Sequence, residues 1–393
     1  MRPPGIRVLW LATAVNQLSI GMQQVILGWV VLNLTGSSAM VGVAYALRSA
    51  PNLVLGFVAG AIADRLDRRT VMRLSAFAMA AGSLVVAWIM WLDRVAIWHV
   101  LAYAVVLGAF RAFDTAARQS YVYDVGGAEN VVRGLAFNAT AQRLGAAIGA
   151  LVGGWILERW GASAAFVAMA LCFATGGGLL FALRHRGAAA PTEREPLWQN
   201  IKAYIEALRT QPVLRNLIFS TAAAEVIGFS HQTLLPILAK EILQVGASGL
   251  GVLIAFRFLG GLIGAGGLAV VRNVTQQGIL LFIALALFGV GQMLLSQVAQ
   301  LWTAMVCVMW INIMASAADI LHQTLLQQHV ANAQRGRAMG SWIIGTGAAP
   351  LGHLQIGYVA AATSVSVALM CNGVALVALP CLLAWRLPQL RRL

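Results

Sequence analysis

The chain has 393 residues, 60% of them hydrophobic and only 10% charged, and its mean hydropathy is +0.79. A soluble globular domain does not carry such a composition, so the polypeptide reads as an integral membrane protein. The net charge of +14 would suit a nucleic-acid partner. However, about twenty of the 27 basic residues fall at the termini or in alternate loops, where the positive-inside rule puts them, and no nucleic acid is expected.

A window of about 19 residues predicts twelve membrane-spanning helices. They lie at 9–32, 40–62, 71–92, 97–120, 134–157, 162–183, 214–236, 247–271, 277–297, 301–325, 338–361 and 364–386. Span one has no small-residue cleavage site after it and is expected to be retained. Its polar groups are Asn16, Gln17, Gln23 and Gln24, with no acid among them. Span two carries Arg48. The link Gly60 to Arg69, GAIADRLDRR, is too short and too charged to enter hydrocarbon, and its arginine excess marks the cytoplasmic face. An even number of spans then puts both termini on that face, with Arg2, Arg7, Arg386, Arg391 and Arg392. In the opposite loops Arg94, Arg159 and Lys240 each stand beside an acid.

Span four holds Arg111, Asp114 and Arg118 at i, i+3 and i+7, which reads as a structural ion pair near its cytoplasmic end or as a transport site. Span five holds Arg143, which needs a cross-helix partner or an anionic substrate. It also holds Gly145, Gly149 and Gly153, four residues apart on one face, a spacing that lets helices approach closely. The glycine-rich span eight is expected to pack against it. Residues 184–212 form a cytoplasmic linker: RHRGAAAPTEREP is a tether, and Leu197, Trp198, Ile201, Tyr204, Ile205 and Leu208 recur at helical spacing as an interfacial amphipathic helix. The linker separates an N-terminal bundle, 1–183, from a C-terminal bundle, 213–393.

Ionisable groups inside spans are functional candidates by default. Glu225 stands near the middle of span seven with no basic residue one turn away. It is either a proton-coupling or substrate-cation site, or a buried acid paired to another helix, for example to Arg257. Asp319 and His322 share a face of span ten and suit either a proton relay or a static hydrogen-bonded pair. His231 and His353 are lone histidines on apolar faces. The halves also repeat: a shift of 204 puts Gln119 on Gln323, Arg133 on Arg337 and Gly153 on Gly357, and a shift of 209 puts Gly42 on Gly251 and Arg48 on Arg257. Parallel six-helix repeats are one architecture of secondary transporters.

The loop GAIADRLDRR resembles the loop-2/3 signature of the major facilitator superfamily, G-x-x-A-D-R-x-G-R-R. Gly60, Ala63, Asp64, Arg65, Arg68 and Arg69 fit, and Asp67 stands where glycine is commonest. Spans one and two, with the later segments FDTAARQ and QRGRAMGSW, resemble a bacterial branch that contains enterobactin exporters and macrolide-efflux-like proteins. The resemblance implies an all-α membrane protein of twelve transmembrane helices in two pseudo-symmetric six-helix bundles. It further implies a cavity lined by spans one, four, seven and ten, hence by Gln17, Asp114, Glu225, His231, Asp319 and His322. By the same resemblance Asp64 caps or pairs across the interface of the halves and Arg65, Arg68 and Arg69 hold the loop; the alternative, that the arginines only enforce topology, applies first to Arg69. RLGAAIGALVGG resembles the exporters' antiporter signature with Ala146 in place of proline.

These readings converge on a proton-coupled exporter of a small amphipathic compound, a drug-like molecule or a secreted metabolite such as a siderophore. Alternating access would be driven by the proton gradient, without cofactor or metal. The expected setting is the bacterial inner membrane, with the lipid bilayer and the substrate as partners and a monomer as the working unit. A symporter importing an organic anion, supported by Arg48, Arg143 and Arg257, is the alternative. No phosphate loop, metal-spaced His/Cys cluster or nucleophile constellation points to an enzyme.

Overall fold

The computed structural model describes residues 3–183, 206, 208–210, 212–270, 276–328 and 345–386, without the side chains of 3–6, 57–65, 123–135, 269–270 and 384–386. The tether, most of the predicted amphipathic helix and the QRGRAMGSW segment lie outside the described residues, as do the side chains of Gly60, Asp64 and Arg65.

Every described element is helical. The first four are α1 (Pro3–Thr35), α2 (Ser38–Arg65), α3 (Arg68–Trp91) and the helical run α4 (Ile97–Leu179). At about 1.5 Å per residue the 83-residue α4 would be about 125 Å long, four times the roughly 30 Å of hydrocarbon it has to cross. It is therefore several passes. Its span-length apolar stretches are Ile97–Val122 and Ala136–Ala182, and Gly161, with φ +80°, reverses the second. Then come α5 (Pro212–Ala223), an irregular stretch to Ile242, α6 (Gly246–Val270), α7 (Gln277–Leu295), α8 (Leu301–Gln328), α9 (Ala349–Ala362) and α10 (Val365–Arg386). Among the described residues, nine helices are long and apolar enough to cross a membrane.

The chain forms two compact units, Met1–Ala190 with Leu235–Leu259, and Pro191–Leu234 with Gly260–Leu393. The start of α6 is bound to the first unit. There Gly154 and Gly251 let α4 and α6 touch backbone to backbone, and Glu158 accepts a hydrogen bond from the Ser248 N–H at 2.7 Å, capping the N-terminus of α6. Glu158 thereby serves a helix end rather than only its neighbour Arg159.

The Gly145, Gly149 and Gly153 stripe faces α1, where a Cβ on any of them would strike Ala14, Leu18 or Met22. Gly21 answers from α1 against Ala146. The glycines further along α6 do not meet this stripe: Gly260 and Gly264 lie on the Met309 and Ile313 backbone of α8, which corrects the expected pairing of spans five and eight along their length. One spacing gives a face, not a neighbour. At one end of the first unit Leu9, Met72, Tyr121 and Leu180 close an apolar core. At the other, Trp88, Trp91, Trp98, Trp155 and Trp160 stay more than half exposed, as amphipathic rings at a membrane–water boundary do.

Candidate functional site

The loop signature ends in a built helix start. Asp67, with φ −58°, needs no glycine: its side chain caps α3 by accepting from the Arg69 N–H at 3.0 Å. It also receives Arg69 Nη2 at 2.8 Å and Nε at 3.2 Å. The guanidinium hydrogen bond holds the Asp67 carboxyl below the usual carboxylate range. Arg69 Nη1 goes on to the Leu183 carbonyl at 3.0 Å, Arg73 to Leu180 at 2.8 Å and Arg68 to Ser120 at 3.3 Å. The basic cluster thus binds backbone carbonyls of α4 and of the turn that follows it. For Arg69 this is more than topology. Asp67→Ala is expected to cost about 1 kcal/mol of stability, the usual worth of such a cap. The folded pKa is depressed, so that contribution is complete above the unfolded value of about 3.9 and is lost on acidification through the folded one. Melting curves of wild type and variant should therefore converge as the medium turns acid.

Deeper in the first unit, Asp114 and Arg118 form a bidentate pair, Nη2–Oδ1 2.7 Å and Nε–Oδ2 3.1 Å, both side chains buried. Arg118 Nη1 donates to Thr13 Oγ1 at 3.0 Å, and Thr13 to Asn138 Oδ1 at 3.1 Å. The network ties α1 to two passes of α4. Asp114 is fully engaged in it, the arrangement of a tether. Gln17, half-buried, has its Cβ against Gly145, and Arg143 is half-buried beside the same stripe.

On the α1 face beyond this tether, two arginines at repeat-related positions meet adjacent glutamines. Arg48 Nη1 donates to Gln23 Oε1 at 3.2 Å, and Arg257 Nη1 to Gln24 Oε1 at 2.6 Å. Arg48 lies over the Tyr45 ring at 5.3 Å and Arg257 over Phe258 at 5.3 Å; the Tyr45 hydroxyl in turn donates to the Gln24 carbonyl at 2.9 Å. Gly108 packs on the Arg48 backbone, and one turn further along α4 the charge of Arg111 is within Coulombic reach of both Arg48 and Arg257. Each charge in a span costs about 2.5–3.5 kcal/mol to insert, so three together are not a by-product of packing.

Span seven, whose residues to Leu234 belong to the second unit and from Leu235 to the first, is broken. A π turn, Ala224–Gly228, passes into 3-10 turns, Phe229–Leu234, and a second π turn, Leu238–Ile242. Pro236 removes one helical donor, and Gly228 is pressed against Phe288. The freed carbonyls are answered by side chains: Ile227 by Asn372 at 3.1 Å, Gly228 by Gln292 at 2.8 Å and by His231 Nδ1 at 2.8 Å. Thr233 pairs with His353 Nδ1 at 2.8 Å. His231 and His353 each hydrogen-bond within the fold. Glu225 is half-buried in the first π turn, whose backbone rests on Gly352 of α9. His322 is buried, with Nε2 2.9 Å from Ser220 Oγ and a further hydrogen bond to the Ala318 backbone. Asp319 is half-buried one turn earlier on α8. Trp310, 40% exposed, donates to Leu287 on α7 at 3.2 Å. Gln292 and Asn372 carry no signal in the sequence beyond an amide in an otherwise apolar span.

The match to known proteins agrees with this architecture. Residues 9–342 match the Major Facilitator Superfamily model, and the chain belongs to that family. It is a transporter and not an enzyme, embedded in the membrane and handling a small molecule. A staphyloferrin A transporter of Staphylococcus aureus is 24% identical over 335 residues, covering 84% of this chain and 83% of the relative. An enterobactin exporter, EntS, of Shigella flexneri is 25% identical over 350 residues, covering 86% and 80%. Among solved structures, a mutant of the peptide transporter POT in complex with sulfate superposes with a TM-score of 0.82 at 14% identity over 99% of this chain and 95% of that one. A bacterial homolog of the human lysosomal transporter Spinster, inward-facing and unoccupied, gives 0.75 at 14% over 100% and 98%.

Proposed function

We propose that the chain exports a small amphipathic metabolite of the siderophore type, coupled to proton entry, by alternating access. The observation that carries this reading is the pair of relatives named for siderophore transport, each matched over more than four fifths of this chain. Glu225 and Asp319 are the carboxylates proposed to take up the proton, which is the sole energy source. Gly60, Asp64, Arg65, Arg68 and Arg69 form the proposed cytoplasmic gate, supported by the backbone carbonyls of α4 and of the turn after it that Arg68 and Arg69 bind. The protein would work as a monomer in the inner membrane with both termini cytoplasmic.

Inverted vesicles test the direction. With an acidified lumen, enterobactin supplied outside should accumulate, a protonophore should stop it, and Glu225→Gln or Asp319→Asn should remove the effect of the gradient. Accumulation only under the opposite gradient would replace export by symport of an organic anion, the reading that the cluster of Arg48, Arg111 and Arg257 favours.

A further inference from the structure

We propose that Arg73, stacked on Phe181 above a notch at Gly178, holds the phosphate of one anionic phospholipid whose acyl chain lies between α3 and the last turns of α4. The site is independent of what is transported and in which direction.

Three observations support it. First, the depth is that of a headgroup. Arg73 stands in the second turn of α3, and Trp91, at the far end, lies 18 residues further along the same face. That rise is about 27 Å, against roughly 30 Å of hydrocarbon, and Leu74, Phe77 and Trp88 stay exposed between the two. Second, Arg73 is aimed and not neutralised. Its Nη2 donates to the Leu180 carbonyl at 2.8 Å, and its guanidinium lies 4.3 Å from the centre of the Phe181 ring. The acid nearest in the chain, Asp67, has its carboxylate held by Nε and Nη2 of Arg69, and Arg73 makes no ion pair among the described residues. Its Nε is buried without an acceptor. Buried donors are almost always satisfied, so a fixed and incompletely paired guanidinium marks a place for phosphate oxygens. Third, the surface below it has room for a chain. Phe77 and Phe181, both exposed, pack with ring centres 6.2 Å apart. Gly178, one turn before Phe181 on the same face, is exposed too, and a Cβ there would meet nothing within 4 Å. A cation at headgroup level above an apolar furrow fits an amphiphile with an anionic head better than a free anion.

Lipid titrated into the delipidated full-length protein in detergent tests the assignment, with native mass spectrometry and the melting temperature as readouts. Dioleoylphosphatidylglycerol is the probe, dioleoylphosphatidylcholine the zwitterionic match with the same chains, and glycerol 3-phosphate the anionic head without chains. Phosphatidylglycerol should be retained as a one-to-one complex and raise the melting temperature. Phosphatidylcholine should bind about fivefold more weakly, and glycerol phosphate should do neither. Arg73→Gln should bring phosphatidylglycerol down to the level of phosphatidylcholine. Gly178→Leu fills the notch without touching a charge, so it should weaken both lipids while leaving the lipid-free melting temperature unchanged. Arg94→Gln, an exposed loop change, should alter nothing. Equal retention of the two lipids, or indifference of phosphatidylglycerol to Arg73→Gln, would overturn the proposal, and glycerol phosphate binding as well as the lipid would make this a free-anion site instead. If Arg73→Gln does not fold, phosphatidylglycerol binding unchanged by Gly178→Leu overturns it equally.

Discussion

Gly149→Leu is expected to prevent the chain from folding, and Gly149→Ala to destabilise it by about 1–3 kcal/mol, the range for overpacked cores. Where α1 crosses α4, the Cβ position of residue 149 falls on the Leu18 carbonyl, within the backbone itself. No flexible side chain can yield there. Either the helices separate, taking the Gly145 and Gly153 contacts with them, or the side chain is not accommodated. Gly178→Ala is the control. It is helical and exposed with nothing within 4 Å, so alanine should be neutral or stabilising by its helix propensity, about 1 kcal/mol. Monodispersity on size exclusion and the melting temperature distinguish the cases. A Gly149→Leu protein as monodisperse and stable as wild type would mean that the close crossing does not hold the first unit together.

The second large effect is expected at the buried pair. Arg118→Met leaves the Asp114 carboxylate desolvated and unopposed, and breaking such a pair from one side costs about 3–5 kcal/mol. The same change also strips Thr13 of its donor, loosening α1 from α4. Removing both charges, Asp114→Leu with Arg118→Met, should recover most of the loss, because replacing a buried ion pair by apolar side chains of similar size is often neutral. Thermal melts of the two singles and the double close the cycle. If Arg118→Met proved as stable as the double variant, the pair would be carrying no stability and the tether reading of Asp114 would fail.

Much of this was legible before any coordinates. Long apolar runs have only one way to satisfy their backbone in lipid, so the spans followed from composition. Arg118 and Asp114 are one helical turn apart and could be paired on spacing alone. What the sequence withheld was every partner distant in the chain. The glycine stripe at 145–153 announced a close approach but not that α1 would fill it. Arg48 and Arg257 could be matched by the repeat, yet their meeting on Gln23 and Gln24 depends on α6 joining the first unit. Asp67 looked like a departure from the family motif; it is the cap that makes a glycine unnecessary. The break in span seven left Gly228 and Pro236 as signs, but Gln292 and Asn372, which make the break tolerable, lie 64 and 144 residues from Gly228.

That break has a mechanical consequence. A regular helix resists bending because each turn is stitched to the next, and opening a stitch in hydrocarbon exposes groups that nothing there can satisfy. At Ile227 and Gly228 the carbonyls are held by amides and an imidazole whose own side-chain torsions can turn. Flexure at this level would draw on rotamers more than on the backbone ladder.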